Sequence, residues 1–206
     1  GECYYFGTGV KEDDDQAFAY FTQASNLGNN QADHYLGLMH SAGLGCEKNY
    51  EMAFLHFTKA AEDEIEASNY HLGLCYYFGN GINRDYFKAL KCFELAKEIN
   101  SNALFYLGEC SRNGRGCKRS YENAFELYIQ AADADNAQGQ MALGRAFYLG
   151  EGVEEDDVEA IKWLKVAVTK DVSYAEYILG ECYFKGIGVA ENEMKGIALL
   201  RKAAVA

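Results

Sequence analysis

A Gly-x-Gly motif recurs along this 206-residue chain at Gly7/Gly9, Gly43/Gly45, Gly79/Gly81, Gly114/Gly116, Gly150/Gly152 and Gly186/Gly188. Successive intervals are 36, 36, 35, 36 and 36 residues. A fixed period of this length is the mark of a solenoid, in which one supersecondary unit is copied and each copy buries its apolar face only against its neighbours. The constraint reaches function as well as fold. Repeat stacks work through extended surfaces, so a binding face is the first place to look, ahead of a catalytic pocket. The spacing predicts one repeat array over residues 1–206, about six units of about 36 residues with the first truncated.

A single unit shows what the repeat is. Residues Ser68 to Phe78 make a helix-length run in which Leu72, Cys75 and Tyr76 fall at i, i+3 and i+4, one helical face. Gly73 inside this run costs about 1 kcal/mol against Ala, yet Gly37, Gly108, Gly144 and Gly180 repeat it. The repetition predicts the close approach of another helix that a side chain would block. The run ends at Gly79-Asn80-Gly81, where glycine can close a helix with positive φ. A second helix is expected to start near 13, 49, 85, 120, 156 and 192, because Asp13, Asn49, Asp85, Ser120, Asp156 and Asn192 are all good N-cap residues. Its body carries Ala17/Phe21/Ala24, Ala53/Phe57/Ala60, Ala89/Phe93/Ala96 and Ala124/Tyr128/Ala131 at i, i+4, i+7. The stripe weakens to Ala160/Leu164/Ala167 and Gly196/Leu200/Ala203. Small–large–small on one stripe lets two helices pack closely. Each unit therefore reads as an antiparallel helix pair, and the 35-residue interval as one residue lost from the turn between Ala96 and Ala103.

Composition narrows the functions open to such a stack. Apolar residues are 49% of the chain, enough for a continuous core, with 16 Tyr, 12 Phe and no proline to interrupt a helix. The net charge of −12 disfavours nucleic acid and anionic membrane surfaces, both of which select basic faces. No stretch approaches the roughly 18 apolar residues of a spanning helix. The chain opens at Gly1 in mid-helix by the repeat register, so it is expected to be a piece of a longer protein. Of seven cysteines, Cys3, Cys75, Cys110 and Cys182 stand four residues before the first Gly of their pair, where other units hold Met39 and Ala146. Cys46 and Cys117 follow the second Gly, where other units carry Val or Ile, and Cys92 lies within a helix. Such slots suit free thiols acting as small hydrophobes, which favours a reducing compartment such as the cytoplasm.

Candidate chemistry is sparse. Asp13-Asp14-Asp15 and Glu154-Glu155-Asp156-Asp157 sit at second-helix starts, where acidic groups satisfy N–H groups and the helix dipole, and lack the spaced oxygens of a calcium loop. The glycine turns lack the strand and the Gly-Lys-Ser/Thr of a phosphate loop. His34, His40, His56 and His71 are confined to two units, and His34 and His40 do not share a helical face. No nucleophile–base grouping assembles from equivalent positions. The expectation is a non-enzyme with no catalytic residue, cofactor or metal.

These residues resemble Sel1-like repeats, relatives of the tetratricopeptide repeat. The resemblance rests on the Leu-Gly doublet at Leu36, Leu72, Leu107, Leu143 and Leu179 and on Tyr4, Tyr76 and Tyr183 before the glycines. The Gly-x-Gly-Val turn and the Lys-Ala-Ala ends at Lys59 and Lys202 add to it. The fourth unit departs locally, with Ser111 and Asn113 before Gly114. The resemblance implies an all-α fold, a right-handed α/α superhelical solenoid of stacked antiparallel helix pairs. It implies an adaptor or scaffold that binds a protein or peptide in a concave groove lined by the first helices. By analogy with the tetratricopeptide family, the groove positions lie two before and two, five and six after the doublet Leu. They are Tyr70, Leu74, Tyr77 and Phe78 in the third unit, and Phe105, Glu109 and Arg112 with Asn113 in the fourth. Met141, Arg145, Tyr148 and Leu149 follow in the fifth, and Tyr177, Glu181, Phe184 and Lys185 in the sixth. His34, Leu38, Ser41 and Ala42 are their second-unit equivalents. Aromatics and Arg dominate interface energetics, and Arg112 and Arg145 in an acidic chain could meet a carboxylate. Two alternatives stand beside this reading. One is a regulatory or assembly subunit of an enzyme or membrane complex, bound through edges or ends such as Leu199 and Val205. The other is a glycan binder that uses the tyrosines.

Overall fold

The computed structural model describes residues 1–62 and 65–205, and among them twelve α-helices and no strand. The chain divides into two compact units, Gly1–Asn100 and Ser101–Ala206. The first holds α1 (Glu2–Phe6), α2 (Asp14–Asn26), α3 (Asn30–Ala42), α4 (Tyr50–Glu62), α5 (Glu66–Phe78) and α6 (Tyr86–Ala96). The second holds α7 (Ser101–Asn113), α8 (Tyr121–Asp133), α9 (Ala137–Leu149), α10 (Asp157–Val168), α11 (Ser173–Lys185) and α12 (Glu193–Val205). Odd-numbered helices are the first helices of each pair and even-numbered ones the second. Each helix packs on its sequence neighbours within its unit, most extensively on its own pair-mate, except α2, which packs more on α3 than on the short α1.

The boundaries follow from capping. Side-chain oxygens of Asp13, Asn49, Asp85, Ser120, Asp156 and Asn192 each accept the backbone N–H three residues on, at 2.9–3.1 Å. The backbone N–H of each cap residue also donates to a carbonyl near the end of the preceding first helix, from Asp13 to Tyr4 through Asn192 to Tyr183, at 2.8–3.0 Å. That second bond clamps the turn shut in every repeat. Gly79 closes α5 in the left-handed region at φ 80°, and its N–H returns to Cys75.

The glycine inside the first helix has its expected cause. A Cβ on Gly73 would stand 2.6 Å from the ring of Phe93, and one on Gly37 2.6 Å from the ring of Phe57. Tyr128, Leu164 and Leu200 take the same seat over Gly108, Gly144 and Gly180. The large residue of each small–large–small stripe thus lies flat on the bare backbone of its pair-mate, and the flanking alanines let the helices close on it. Phe57, Phe93, Tyr128 and Leu164 are among the least exposed side chains in the protein.

Candidate functional site

The four first-helix positions expected to line a groove behave differently from one another. Two residues before the doublet Leu, the chain does not face an open surface. His34 is buried, with its Nδ1 2.9 Å from Ser68 Oγ on the next first helix and its ring 5.6 Å from that of His71. Met141 is buried in one core cluster with Ile161, Ile178 and Leu179. Tyr70 and Phe105 are half-buried, beside Phe93 and Tyr128 respectively. Tyr177 alone at this position is exposed, and with Tyr174, Leu200 and Ala203 it borders a hollow of about 610 Å³. At this position His34 and Met141 therefore pack within the protein, Tyr70 and Phe105 are half-buried, and Tyr177 stays open.

Two residues after the Leu, Leu38 and Leu74 in the first unit give way to Glu109, Arg145 and Glu181 in the second. Arg145 is only 7% exposed. Its Nη2 donates to Glu109 Oε1 at 2.7 Å and to the Tyr128 hydroxyl at 3.2 Å, while Tyr128 donates to Glu109 at 2.6 Å. Burial pushes the Glu109 carboxyl up, but Arg145, Tyr128 and Arg112 outweigh it and hold the group below the usual carboxylate range. Five residues after the Leu, Arg112 grips Glu151 through Nε at 2.6 Å and Nη2 at 2.8 Å. Both arginines do meet carboxylates, but within the protein. A partly buried guanidinium in an acidic chain finds its counter-ion at home, where the geometry is already set. Tyr77, at the same position, is buried. It is 6% exposed, edge-on to Tyr86 at 5.4 Å and to Phe93 at 6.1 Å.

Six residues after the Leu the surface is open in every copy. Ala42, Phe78, Asn113, Leu149 and Lys185 are all exposed, Phe78 by 47%. Phe184 beside Lys185 is 43% exposed, and Tyr148 beside Leu149 is half-buried. Glu181 is half-buried and accepts from Lys185 at 3.1 Å. In the first unit Leu74 also borders a hollow of about 220 Å³ with Ser41, Tyr50, His71 and Asn80. At positions two, five and six after the Leu, the larger accessible apolar groups are therefore Leu38, Leu74 and Phe78 in one unit, and Tyr148, Leu149 and Phe184 in the other.

Titratable groups elsewhere serve packing. Asp33 is fully buried and meets Ser25 Oγ at 2.8 Å, His56 at 2.9 Å and Lys59 at 2.7 Å. Glu176, buried at the equivalent position of α11, meets Lys202 at 2.5 Å. The sequence carried a signal for both. Lys-Ala-Ala ends a second helix only in the two units that place an acid three residues before the doublet Leu. His34 pairs with His71 and His40 stacks on His56 at 5.5 Å. Burial first, then His34, pull the His71 pKa down to about 4. Burial pushes the Cys75 and Cys182 thiols up to about 11 and Cys110 to about 12, so these cysteines are inert core groups. Among the described residues no three His, Cys, Asp or Glu side chains gather where a metal ion could sit. None of the described helices is long and apolar enough to cross a membrane.

Comparison with known proteins agrees with this geometry. The sequence profile of the Sel1 repeat matches residues 1–29, 30–64, 67–100, 101–136, 137–171 and 173–204. A solved Sel1 repeat protein of Oxalobacter formigenes is similar at 25% identity and TM-score 0.84, over 99% of this chain and 80% of that one. A protective antigen of uropathogenic Escherichia coli with the SLR fold is similar at 29% identity and TM-score 0.81. That match covers 99% of this chain, which spans 44% of the length of the Escherichia coli protein. An immunity protein of Pseudomonas aeruginosa shares the fold at 19% identity and TM-score 0.55, over 93% of this chain and 66% of that one. No curated protein matches the sequence.

Proposed function

Because this chain belongs to the Sel1 repeat family, whose members generally act as non-catalytic mediators of protein–protein interaction, we propose that it is a scaffold that takes a protein or peptide partner on the open ends of its first helices. The observation that carries the reading is the position six after the doublet Leu, solvent-open in all five copies that have the doublet. Together with the residue before it, that position presents Phe78, Tyr148, Leu149 and Phe184. Apolar and aromatic groups held on rigid helix ends lose little entropy on binding and have the chemistry of interface hot spots. The neighbouring Arg112–Glu151 and Arg145–Glu109 pairs act here as supports that fix the face.

Replacing Phe78, Leu149 or Phe184, one at a time, with a photo-crosslinking phenylalanine analogue in the native cell tests the reading. A discrete protein adduct is expected from these sites and none from Glu126, exposed on the second helix α8. Adducts from position 126 alone, or from no site, would overturn it. A second reading has an observation of its own. The apolar hollow at Tyr174, Tyr177, Leu200 and Ala203 could seat a helix of a larger assembly. An analogue at Tyr177 that crosslinks while the other three stay silent would favour that role.

A further inference from the structure

The six second helices each carry an outward row at two, six and ten residues past the cap, every member of which is at least partly open to solvent. In α8 the row reads Glu122, Glu126 and Gln130, and in α2 Asp15, Ala19 and Gln23. In α6 it reads Phe87, Lys91 and Leu95, and the turn just past the helix adds Ile99. Phe87 is 58% exposed, Leu95 65% and Ile99 53%. Large apolar groups also enter this row as Leu55 in α4, Val158 and Val166 in α10 and Met194 in α12, but only α6, with the turn after it, carries three, one of them aromatic. The fold does not need them there, because Phe93, Ala89 and Ala96 on the opposite stripe make the intramolecular contact.

The segment is also locally basic, as are those of α10 and α12. Between residues 86 and 99 there are three lysines and two glutamates, in a protein of net charge −12. Lys88 and Lys91 lie in the first half, while Glu94 and Glu98 lie toward the end with Lys97 between them. Lys88 lies 4.0 Å from Asp85 and 5.3 Å from the Tyr76 ring centre, Lys91 sits 4.6 Å from the ring centre of Phe87, and Glu94 accepts Lys97 at 2.9 Å. All are exposed pairs that a closer partner can replace at little cost. A helix whose first half is net basic, whose last turn is net acidic and whose apolar row lies between is complementary to itself when reversed.

We propose that α6 is the contact by which two copies of this chain pair, the two α6 helices lying antiparallel across a two-fold axis. An axis at the level of residue 93 sets Phe87 opposite Ile99 of the second copy, Leu95 against the aliphatic stem of Lys91, and Lys88 opposite Glu98. The surface is isologous, so every contact is made twice and the pair closes without forming a fibre. Opposed charge gradients give register and exclude the parallel arrangement, which would set lysine against lysine. The face is distinct from the open ends of the first helices, so the pairing and the scaffold reading stand or fall separately.

Sedimentation equilibrium tests it. The wild-type chain is expected to run at twice the 22.9 kDa protomer mass at high micromolar concentration. Phe87→Glu with Leu95→Glu should weaken self-association at least about tenfold, with unchanged helical circular dichroism because both sites are exposed. Lys88→Glu/Lys91→Glu and Glu94→Lys/Glu98→Lys should each be monomeric alone and pair when mixed. A monomeric wild type, a dimer that survives Phe87→Glu/Leu95→Glu, or a charge-swapped mixture that stays monomeric would each overturn the proposal.

Discussion

Two residues after the doublet leucine, the first unit carries Leu38 and Leu74, and the second carries Glu109, Arg145 and Glu181. One seat beneath changes with it, while Leu164 and Leu200 keep the seats over Gly144 and Gly180 apolar. Phe57 and Phe93 cover the helix glycines of the first unit, whereas Tyr128 covers Gly108 in the second and turns its hydroxyl to Glu109. One backbone thus accepts an apolar stack or a hydrogen-bonded ion pair at the same slot, provided every member changes together. Arg145 could not take a leucine's place without Glu109 and Tyr128 to receive it, since an unpaired buried charge costs several kcal/mol. The two chemistries also respond differently to change. The apolar slot is expected to lose stability gradually, and the ionic slot to lose more when one member is removed and a buried charge is stranded.

The sharpest way to break the contrast is Glu109→Ala, which strands the Arg145 guanidinium. It is expected to destabilise the second unit by about 3 kcal/mol, read by urea denaturation. The combination Glu109→Leu, Arg145→Leu and Tyr128→Phe copies the first unit's chemistry and should recover most of that loss. A triple variant as unstable as the single one would show that the slots are not interchangeable.

Acid should separate the units in the other direction. His71 has its pKa lowered to about 4 from an ordinary 6.5, so between those values the unfolded chain holds a proton that the folded chain refuses. Stability is complete above pH 6.5 and falls as the pH drops toward 4, by up to about 3 kcal/mol. Hydrogen exchange should register this in the first unit, and His71→Phe, which keeps a ring against Phe57 (now 5.0 Å from His71), should flatten it. Carboxylate contributions such as that of Glu109 are lost lower, as the pH falls through pKa values held below the usual range.

A third test is common to both units. Gly73→Ala sets a methyl 2.6 Å from the Phe93 ring and should cost about 2 kcal/mol in a thermal melt. If the variant is as stable as the parent, the ring does not need the bare backbone. The smallest effect expected is from the caps. Asp85→Ala and Asp156→Ala should each cost about 1 kcal/mol, equally in the two units. A marked inequality would mean that the turns are held mainly by the bond from the cap N–H to the preceding helix.

The helix pairs were legible because their signals are local and repeated. A cap oxygen, a closing glycine and a bare helix glycine each act within a few residues of themselves, and six copies reveal the rule behind any one. The buried acids Asp33 and Glu176 were missed, although the lysines that accompany them carried a signal that comparison between copies discloses. The open face was harder to read. Positions two, five and six after the leucine are close on a helical wheel, and their sequences look alike: aromatic, aliphatic or charged.

What separated them was how each helix is rotated against its neighbours. That rotation buried Tyr77, placed His34 and Met141 between repeats, and left Phe78 and Leu149 in solvent. It also decided the arginines. Sequence placed Arg112 and Arg145 on first helices, but Glu151 and Glu109 stand 39 and 36 residues away along the chain and are brought within 3 Å only by stacking. Periodicity and capping chemistry therefore determined the module by themselves, because they operate over one or two turns of helix. Which side chains remain for a partner was settled by packing between modules, a matter of ångströms and angles that residue type does not encode.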